Sequence, residues 1–256
     1  MPDTTTKQFV CRSDRGLVRA INEDSVGVDR ELGLVVLADG MGGYQAGEIA
    51  SALAVSTITG RYRQQPDLEP ATAVVAANQA ILAAIAADAG LQGMGTTLVI
   101  GRFDDDHLHY AHVGDSRLYR WRDGELRQLT NDHSMIQQLL DEGRFPSRPA
   151  AIRAGVKANL LTRGVGLNAD LRVDSASVRV RAGDRFLFCS DGLSNMLSHR
   201  TIARVVGEYM DRLEAACDRL LRLALERGGY DNVSLALVGV GQASVEGEAA
   251  RGGNAV

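Results

Sequence analysis

Four aspartates stand where apolar segments give way to small or polar residues. Asp39 lies in Val36-Leu37-Ala38-Asp39-Gly40, Asp115 in His112-Val113-Gly114-Asp115-Ser116 and Asp191 in Phe188-Cys189-Ser190-Asp191-Gly192, while Asp231-Asn232 directly precedes the last apolar run. Asp-Gly is also the commonest hairpin turn. The chain carries its own control in Asp123-Gly124, which sits between polar residues and needs no further role. Asp39, Asp115 and Asp191 differ because each follows residues suited to a buried strand. If those strands share a sheet, their ends bring the carboxylates to a common edge. Converging carboxylates repel one another unless a cation sits between them. With no Cys or His cluster beside them, the donors are all oxygen, which suits Mg²⁺ or Mn²⁺. Two such ions roughly 3.5–4 Å apart can share a carboxylate and hold a hydroxide for in-line attack on phosphorus. An arginine would complete such a site, because phosphate calls for planar, multidentate donors.

Periodicity suggests the elements that carry these residues. Leu32 to Ala38 is a short β-rich run ending at Asp39-Gly40. Ala46 to Arg61 predicts a helix, and after a loop with Pro66 and Pro70 a second, Ala-rich helix runs to about Asp88. Four strands follow, over Thr96–Phe103, His107–Val113, Arg117–Trp121 and Glu125–Leu129. Asp104–Asp106 and Asp123-Gly124 are turn signals between them, so the spacing predicts an antiparallel meander. His133 to Glu142 reads as helix and Gly143 to Ala158 as irregular chain. Val173–Val180 and Arg185–Cys189 read as strands around Gly183-Asp184. Helices over Ser198–Tyr209 and Arg212–Glu226 stop at Gly228-Gly229, before a final strand over Val233–Val240. No linker or repeat interrupts the interior. The expectation is one α+β domain over 1–241, with helices layered on antiparallel sheets. The small, polar residues 242–256 are expected to be a disordered tail.

Composition excludes several classes. Of 256 residues, 45% are hydrophobic, close to an ordinary globular domain. The net charge of −4 disfavours a dedicated nucleic-acid binder. All but two of the 28 basic residues are arginine; the lysines, Lys7 and Lys157, lie in no phosphate-binding loop, and no V-A-I-K strand is present. P-loop and protein-kinase readings are therefore out. Cys11, Cys189 and Cys217 form no C-x-x-C pair, and Asn195 stands six positions after Cys189, so the cysteine-nucleophile phosphatase loop is absent too. A sparse, odd cysteine set reads as a reducing compartment. Without a secretory pattern at Met1–Lys7 or a run of 18 apolar residues, the expected address is the cytoplasm, with no membrane association.

The segments that surround the aspartates resemble, in order, the metal-dependent serine/threonine protein phosphatases (PPM, or type 2C) in their compact bacterial form. They are Gly16-Leu-Val-Arg19-Ala-Ile-Asn22-Glu23-Asp24, Ala38-Asp39-Gly40-Met41-Gly42-Gly43, Gly95-Thr96-Thr97, His112-Val-Gly-Asp115-Ser116-Arg117, Leu129-Thr-Asn-Asp132-His133-Ser134, Leu161-Thr-Arg163, Cys189-Ser-Asp191-Gly192-Leu193 and Gly229-Tyr-Asp231-Asn232. Together they span roughly residues 8–240. The resemblance implies two antiparallel sheets sandwiched between layers of helices, with two Mn²⁺ or Mg²⁺ ions between the sheets. Asp39 would bridge the ions, the Gly40 carbonyl would bind one, and Asp191 and Asp231 would bind the other. Asp115, with Asp191, would take a third metal. Glu23 and Asp24 would orient metal-bound water from behind, and Arg19 would hold the substrate phosphate. The segment of about 134–160 matches the family's mobile flap.

The implied activity is hydrolysis of phosphoserine and phosphothreonine by a metal-bound hydroxide, without a covalent intermediate. The partners would be phosphoproteins, in the circuit of a Ser/Thr kinase or its substrates. A non-catalytic phosphoprotein-binding regulator on the same fold and a small-molecule phosphomonoesterase are the alternatives. Two positions depart from the family pattern. Met41 stands, as in many bacterial relatives, where eukaryotic members often carry a histidine, and Met cannot donate a proton; a metal-bound water or, less readily, His133 is left as the acid. Ser234 replaces the usual Thr after Asp231-Asn232-Val233.

Other residues invite weaker readings. His107 and His109 are two apart on one predicted strand and share a face, which leaves open a zinc site or, more commonly, a plain strand surface. Cys189 reads as an inert core thiol. Arg117 and Arg163 could serve local structure or substrate. Glu142 and the Asp104–Asp106 turn read as solvated surface. Between Gly143 and Ala169 there is no Asp or Glu, yet Arg144, Arg148, Arg153, Lys157 and Arg163 give five positive charges, leaving −9 on the rest of the chain. Such a flap, with Arg148 and Arg153 as candidate substrate contacts, would draw in acid-flanked phosphopeptides.

Overall fold

The unbroken apolar runs of this sequence are strands covered on both faces. In β3 (Leu34–Met41), Leu34, Val36 and Ala38 face one apolar cluster while Val35 and Leu37 face another. The same division holds in β10 (Arg185–Cys189), with Leu187 and Cys189 on one side and Phe186 and Phe188 on the other. It recurs in β11 (Val233–Gln242), where Leu235 and Leu237 oppose Ala236 and Val238. A strand with one wet face would alternate instead.

The computed structural model describes residues 5–42, 46–157 and 160–242. One antiparallel sheet has the order β1 (Thr5–Asp14), β11, β10, β7 (Arg117–Arg122) and β8 (Glu125–Gln128). The other has the order β2 (Asp24–Asp29), β3, β5 (Leu98–Phe103), β6 (His107–Val113) and β9 (Asp174–Arg179), with the short β4 (Gly95–Thr96) also paired to β3. The sheets face each other across Phe9, Phe103, Phe186 and Phe188, whose rings meet edge to face at 5.4–6.5 Å. Each such aromatic pair contributes about 0.5–1.5 kcal/mol beyond the area it buries.

Helices cover the outer faces. In α1 (Gly47–Gln64), Ala50, Ala54, Ile58 and Tyr62 recur every four residues and form the buried stripe. α2 (Pro70–Ala87) begins with proline at its first turn and turns Ala73, Val74, Ala77 and Ile81 to the same cluster. By composition α2 is apolar enough to cross a membrane. It belongs to the core instead: its buried Asn78 donates to the Asn168 carbonyl and accepts from the Gly166 N–H. On the other sheet lie α6 (His199–Glu208) and α7 (Leu213–Glu226). The result is the expected sandwich of helices, two antiparallel sheets and helices.

Three expectations need correction. The four consecutive strands are not one meander: β5 and β6 pair in one sheet, β7 and β8 in the other. The chain crosses between sheets at Gly114-Asp115-Ser116, where Gly114 adopts φ +103, a conformation open to glycine, and a Cβ would press on Thr97. The stretch expected to be irregular after Gly143 contains a helix, α4 (Arg148–Arg153), following α3 (Met135–Asp141). Strands β1 and β2 were not foreseen, and Gln242, expected in the tail, pairs with Thr5. The expected tail over 243–256 and flap residues 158–159 lie outside the described residues.

Candidate metal centre

The carboxylates do not line the edge of one sheet. Asp39 (in β3) and Asp115 (after β6) come from one sheet, Asp191 (after β10) and Asp231 (before β11) from the other, and they meet in a cleft between the two. The cleft, about 210 Å³, is also lined by Arg19, Glu23, Gly40, Met41, Thr97 and Leu161.

Asp39 is held through its backbone. Its carbonyl accepts from the Thr97 N–H at 2.8 Å and the Thr96 hydroxyl at 2.9 Å, and its own N–H donates to Thr97 Oγ1. The carboxylate is thereby left to the cleft. Asp24 is its direct cross-strand partner. Ser190 donates to Asp24 Oδ2 at 2.9 Å, while the buried Oδ1 has no hydrogen-bond partner. Gly40 follows Asp39 where backbones crowd: a Cβ there would collide with the Gly47 carbonyl oxygen, and its N–H donates to the Glu23 carbonyl. Asp191 starts a one-turn helix, α5 (Asp191–Ser194), and accepts from Asn195 Nδ2. Arg19 lies across the mouth, donating to Asp231 Oδ2 at 2.8 Å, with Glu23 Oε2 at 3.8 Å.

The electrostatics are those of a site missing positive charge. Burial, then repulsion from Asp24, Asp191, Asp115 and Asp231, holds the Asp39 carboxyl well above the usual range. Burial also pushes Asp24 to about 7, reinforced by Asp191 and Asp231, and Asp115 to about 7, reinforced by Asp191 and Asp132. Burial and Asp231 raise Asp191, against Arg117, Arg148 and Arg19. An unpartnered buried oxygen, mutually raised acids and a glycine-narrowed backbone are what an all-oxygen site for hard divalent ions requires. The residues present therefore fit the two ions the sequence implies.

Comparison with known proteins agrees with this geometry. Residues 18–226 match the family model described as protein phosphatase 2C. The chain belongs to the protein phosphatase 2C family. It is 40% identical over 241 residues to the serine/threonine protein phosphatase PstP of Mycobacterium tuberculosis, covering 93% of this chain but 46% of that relative. It is 34% identical over 238 residues to the serine/threonine phosphatase stp of Listeria monocytogenes, covering 89% of this chain and 93% of the relative. The crystal structure of the PstP catalytic domain in complex with two manganese ions superposes with a TM-score of 0.84 at 40% identity, covering 93% of this chain and all of that one.

Several side chains the sequence singled out are engaged elsewhere. His133 is buried; its Nδ1 accepts from the Gly114 N–H, and Nε2 lies 3.3 Å from Asp174 Oδ2. Burial, helped by His112 and Arg163, lowers its pKa to about 4. It is thus a neutral, fully engaged strut, not an acid poised over the cleft. His112, His133 and Asp174 come close enough to suggest a metal site, but Arg163 Nη1 donates to Asp174 Oδ1 at 2.7 Å and lies 3.1 Å from His133 Nε2, so a guanidinium already occupies that place. Arg117 is clamped on Asp132 and Tyr119. Burial pushes the Cys189 thiol up to about 12, as an inert core residue should be. Of the flap arginines, Arg148 reaches back to Asp132 at 4.0 Å and Asn195 at 3.4 Å, while Arg153 is exposed.

One further residue supports the site. Asn232 donates to the carbonyls of Arg15 and Ile21 and accepts from the Glu23 N–H. It fastens the loop carrying Arg19 to the turn that carries Asp231 into β11. Its position next to Asp231, before an apolar strand, was the available signal.

Proposed function

We propose that this chain is a protein serine/threonine phosphatase that uses two Mn²⁺ or Mg²⁺ ions, with room for a third. The observation that carries the reading is the convergence of Asp39, Asp191 and Asp231, without a matching set of cations, beneath the half-exposed Arg19. Asp39 and the Gly40 carbonyl would hold one ion, Asp39, Asp191 and Asp231 the other, and Asp115 with Asp191 a third. When bound, the ions supply an activated water for in-line attack and neutralise charge on the phosphoryl oxygens.

The chain's own residues do the positioning. Arg19 turns its guanidinium from Asp231 toward an incoming phosphate, gaining multidentate contacts to the oxygens. Ser190 fixes Asp24 behind Asp39, and Asn232 sets the height of the Arg19 loop. Met41 and Leu161 give the mouth an apolar lip. No imidazole lines the cleft among the described residues.

A non-catalytic phosphoprotein binder should have lost metal ligands, and Asp39, Asp191 and Asp231 are all retained. The expected substrates are phosphoproteins of a Ser/Thr kinase circuit. Three free cysteines, two of them buried, suit a reducing cytoplasm. The test is turnover of a phosphothreonine peptide and of a small phosphomonoester, with Mn²⁺ or with excess chelator. Metal-dependent hydrolysis favouring the peptide is expected. Activity that survives the chelator sinks the metal reading, and preference for the small ester sinks the protein-substrate reading.

A further inference from the structure

At the far end of β6 from Asp115, a second group of donors converges outside the cleft. The turn between β5 and β6 folds around Asp104, whose Oδ1 accepts from the N–H groups of Asp106 and His107 at 3.1 and 2.7 Å. That use of one oxygen aims the other, Oδ2, at His109 Nε2, 2.7 Å away. His109 Nδ1 is held by the Ser177 hydroxyl at 2.7 Å, from the directly paired position on β9. His107 Nδ1 faces Asp106 Oδ1 at 2.8 Å. Donor atoms of Asp104, Asp106 and His107 all lie within 4.8 Å of one another, and the two imidazoles lie with ring centres 6.0 Å apart.

We propose that Asp104, Asp106, His107 and His109 form a separate binding site for one zinc ion. Two imidazoles with two carboxylates make a mixed nitrogen–oxygen set that suits Zn²⁺, whereas the cleft offers oxygen alone. Zn–ligand bonds of about 2.0–2.2 Å place tetrahedral ligand atoms roughly 3.3–3.5 Å apart. The His109–Asp104 and His107–Asp106 contacts, at 2.7 and 2.8 Å, therefore open by a fraction of an ångström as the ion replaces a hydrogen-bonded proton, and His109, which lies outside the 4.8 Å group of the other three, must swing in with Asp104 to complete the set. Ser177 supplies what a zinc-ligating histidine needs from its second nitrogen: by accepting Nδ1–H it fixes the ring and leaves the Nε2 lone pair for the metal. All four ligands are partly exposed, so an ion can enter from solvent. Arg179, with Nε 3.9 Å from Asp106 Oδ2, is the competing cation and must yield.

Seen in sequence, the Asp104–Asp106 turn is solvated surface and His107 with His109 a strand face; it is the fold that joins them. The proposal is independent of the phosphatase reading. The test uses the full chain carrying Asp39→Asn and Asp231→Asn, to weaken the cleft, with Co²⁺ as a spectroscopic stand-in for Zn²⁺. One equivalent of Co²⁺ should give the intense visible absorption of a four-coordinate ion, and Zn²⁺ should displace it. Adding His107→Ala and His109→Ala should abolish the band and weaken zinc binding at least about tenfold. In the otherwise unaltered chain, the same two histidine substitutions should leave Mn²⁺-supported turnover unchanged, which also shows that the fold survives. No four-coordinate cobalt band, or a band that survives the histidine substitutions, overturns the proposal.

Discussion

Asp132 and Asp184 are buried as deeply as Asp24 and Asp115, yet their surroundings differ in kind. Asp132 takes a forked pair of bonds from Arg117 at 2.6–3.1 Å, and Asp184 a forked pair from Arg122 at 2.6 Å. Each of those acids has its own guanidinium. In the cleft, Asp24, Asp39, Asp115 and Asp191 have no such clamp: burial and mutual repulsion raise them, Arg117, Arg148 and Arg19 act on Asp191 only at a distance, and Arg19 pairs directly with Asp231 and Glu23. A buried carboxylate paired with arginine is architecture. Buried carboxylates paired with each other hold the structure in a costly arrangement that a divalent cation would relieve. The contrast separates structural from functional acids without reference to any relative.

The sharpest way to break this comparison is one neutralising change in each region. Asp39→Asn should lower metal-supported turnover by about 100-fold or more, since on the proposed arrangement it removes the ligand shared by both ions. In chelator it should unfold at the same temperature as the parent or a higher one, because repulsion goes with the charge. Asp184→Asn should do the reverse, costing about 3 kcal/mol by stranding Arg122 while the surviving enzyme turns over normally. Thermal melts and steady-state rates on both variants decide the matter. If Asp39→Asn melts well below the parent in chelator, the two regions are not different in kind.

Raised acids also predict an unusual dependence on pH. Asp24 and Asp115 titrate near 7 in the folded chain against 3.8 for an ordinary aspartate. Below about pH 4 both folded and unfolded chains are protonated there. Between about 4 and 7 the unfolded chain ionises first, so these groups favour unfolding as pH rises through that window. In chelator the melting temperature should fall by several degrees from pH 5 to pH 7.5. Mn²⁺ should raise it more at pH 7.5 than at pH 5. A Mn²⁺ stabilisation independent of pH would mean the cleft acids are already ionised without metal.

The legibility of these features in the sequence follows their physics. Strands with deeply buried residues announce themselves: β10, buried throughout, and β6, despite the partly exposed His107 and His109 on one face, have the expected bounds. β1 was hidden because it is an edge strand with only Phe9 fully buried, and β2 because all but Asp24 of its side chains are half covered. The four aspartates were legible as a set from the apolar strands that flank three of them and the strand that follows the fourth. Their arrangement was not, because Gly114-Asp115-Ser116 looks like any tight turn and gives no sign that the next strand joins the opposite sheet. Likewise the spacing of His133 from Leu129 is silent on the Gly114 N–H that occupies its ring.

Arg19 refines the comparison from the cationic side. It is half exposed and pairs with Asp231, a proposed metal ligand, unlike the clamped Arg117 and Arg122. Arg19→Ala should therefore leave the melting temperature nearly unchanged and cut kcat/KM by about tenfold, mainly through KM. Arg19→Lys should recover only part of it, because an ammonium cannot supply the planar fork. A collapse of metal affinity in Arg19→Ala, with kinetics at saturating metal intact, would place Arg19 among the structural arginines.

The smallest expected effect concerns the flap, where counting charges overstated what is available to substrate. Of its five cations, Arg163 is bonded to Asp174 at 2.7 Å, Arg144 lies 3.8 Å from Glu142, and Arg148 4.0 Å from Asp132. Arg163 is held like the arginines of the structural group, whereas Arg144 and Arg148 are held only by long pairs. Among the described residues Arg153 and Lys157 form no ion pair, so the attraction for acid-flanked phosphopeptides should rest on those two. Two exposed charges act through water and salt, so their effect is small and falls with ionic strength. The expected outcome is a several-fold higher kcat/KM on an acidic than on a matched basic phosphothreonine peptide at low salt, fading at high salt. Arg153→Glu with Lys157→Glu should level or invert that ratio while leaving turnover of a small phosphomonoester untouched. Arg148→Glu should act differently, because Arg148 also lowers the Asp191 pKa: it should slow both peptides together. Equal rates on the two peptides at low salt would remove the flap from substrate choice. Inversion of the ratio by Arg148→Glu alone would move Arg148 from the structural group into the substrate path.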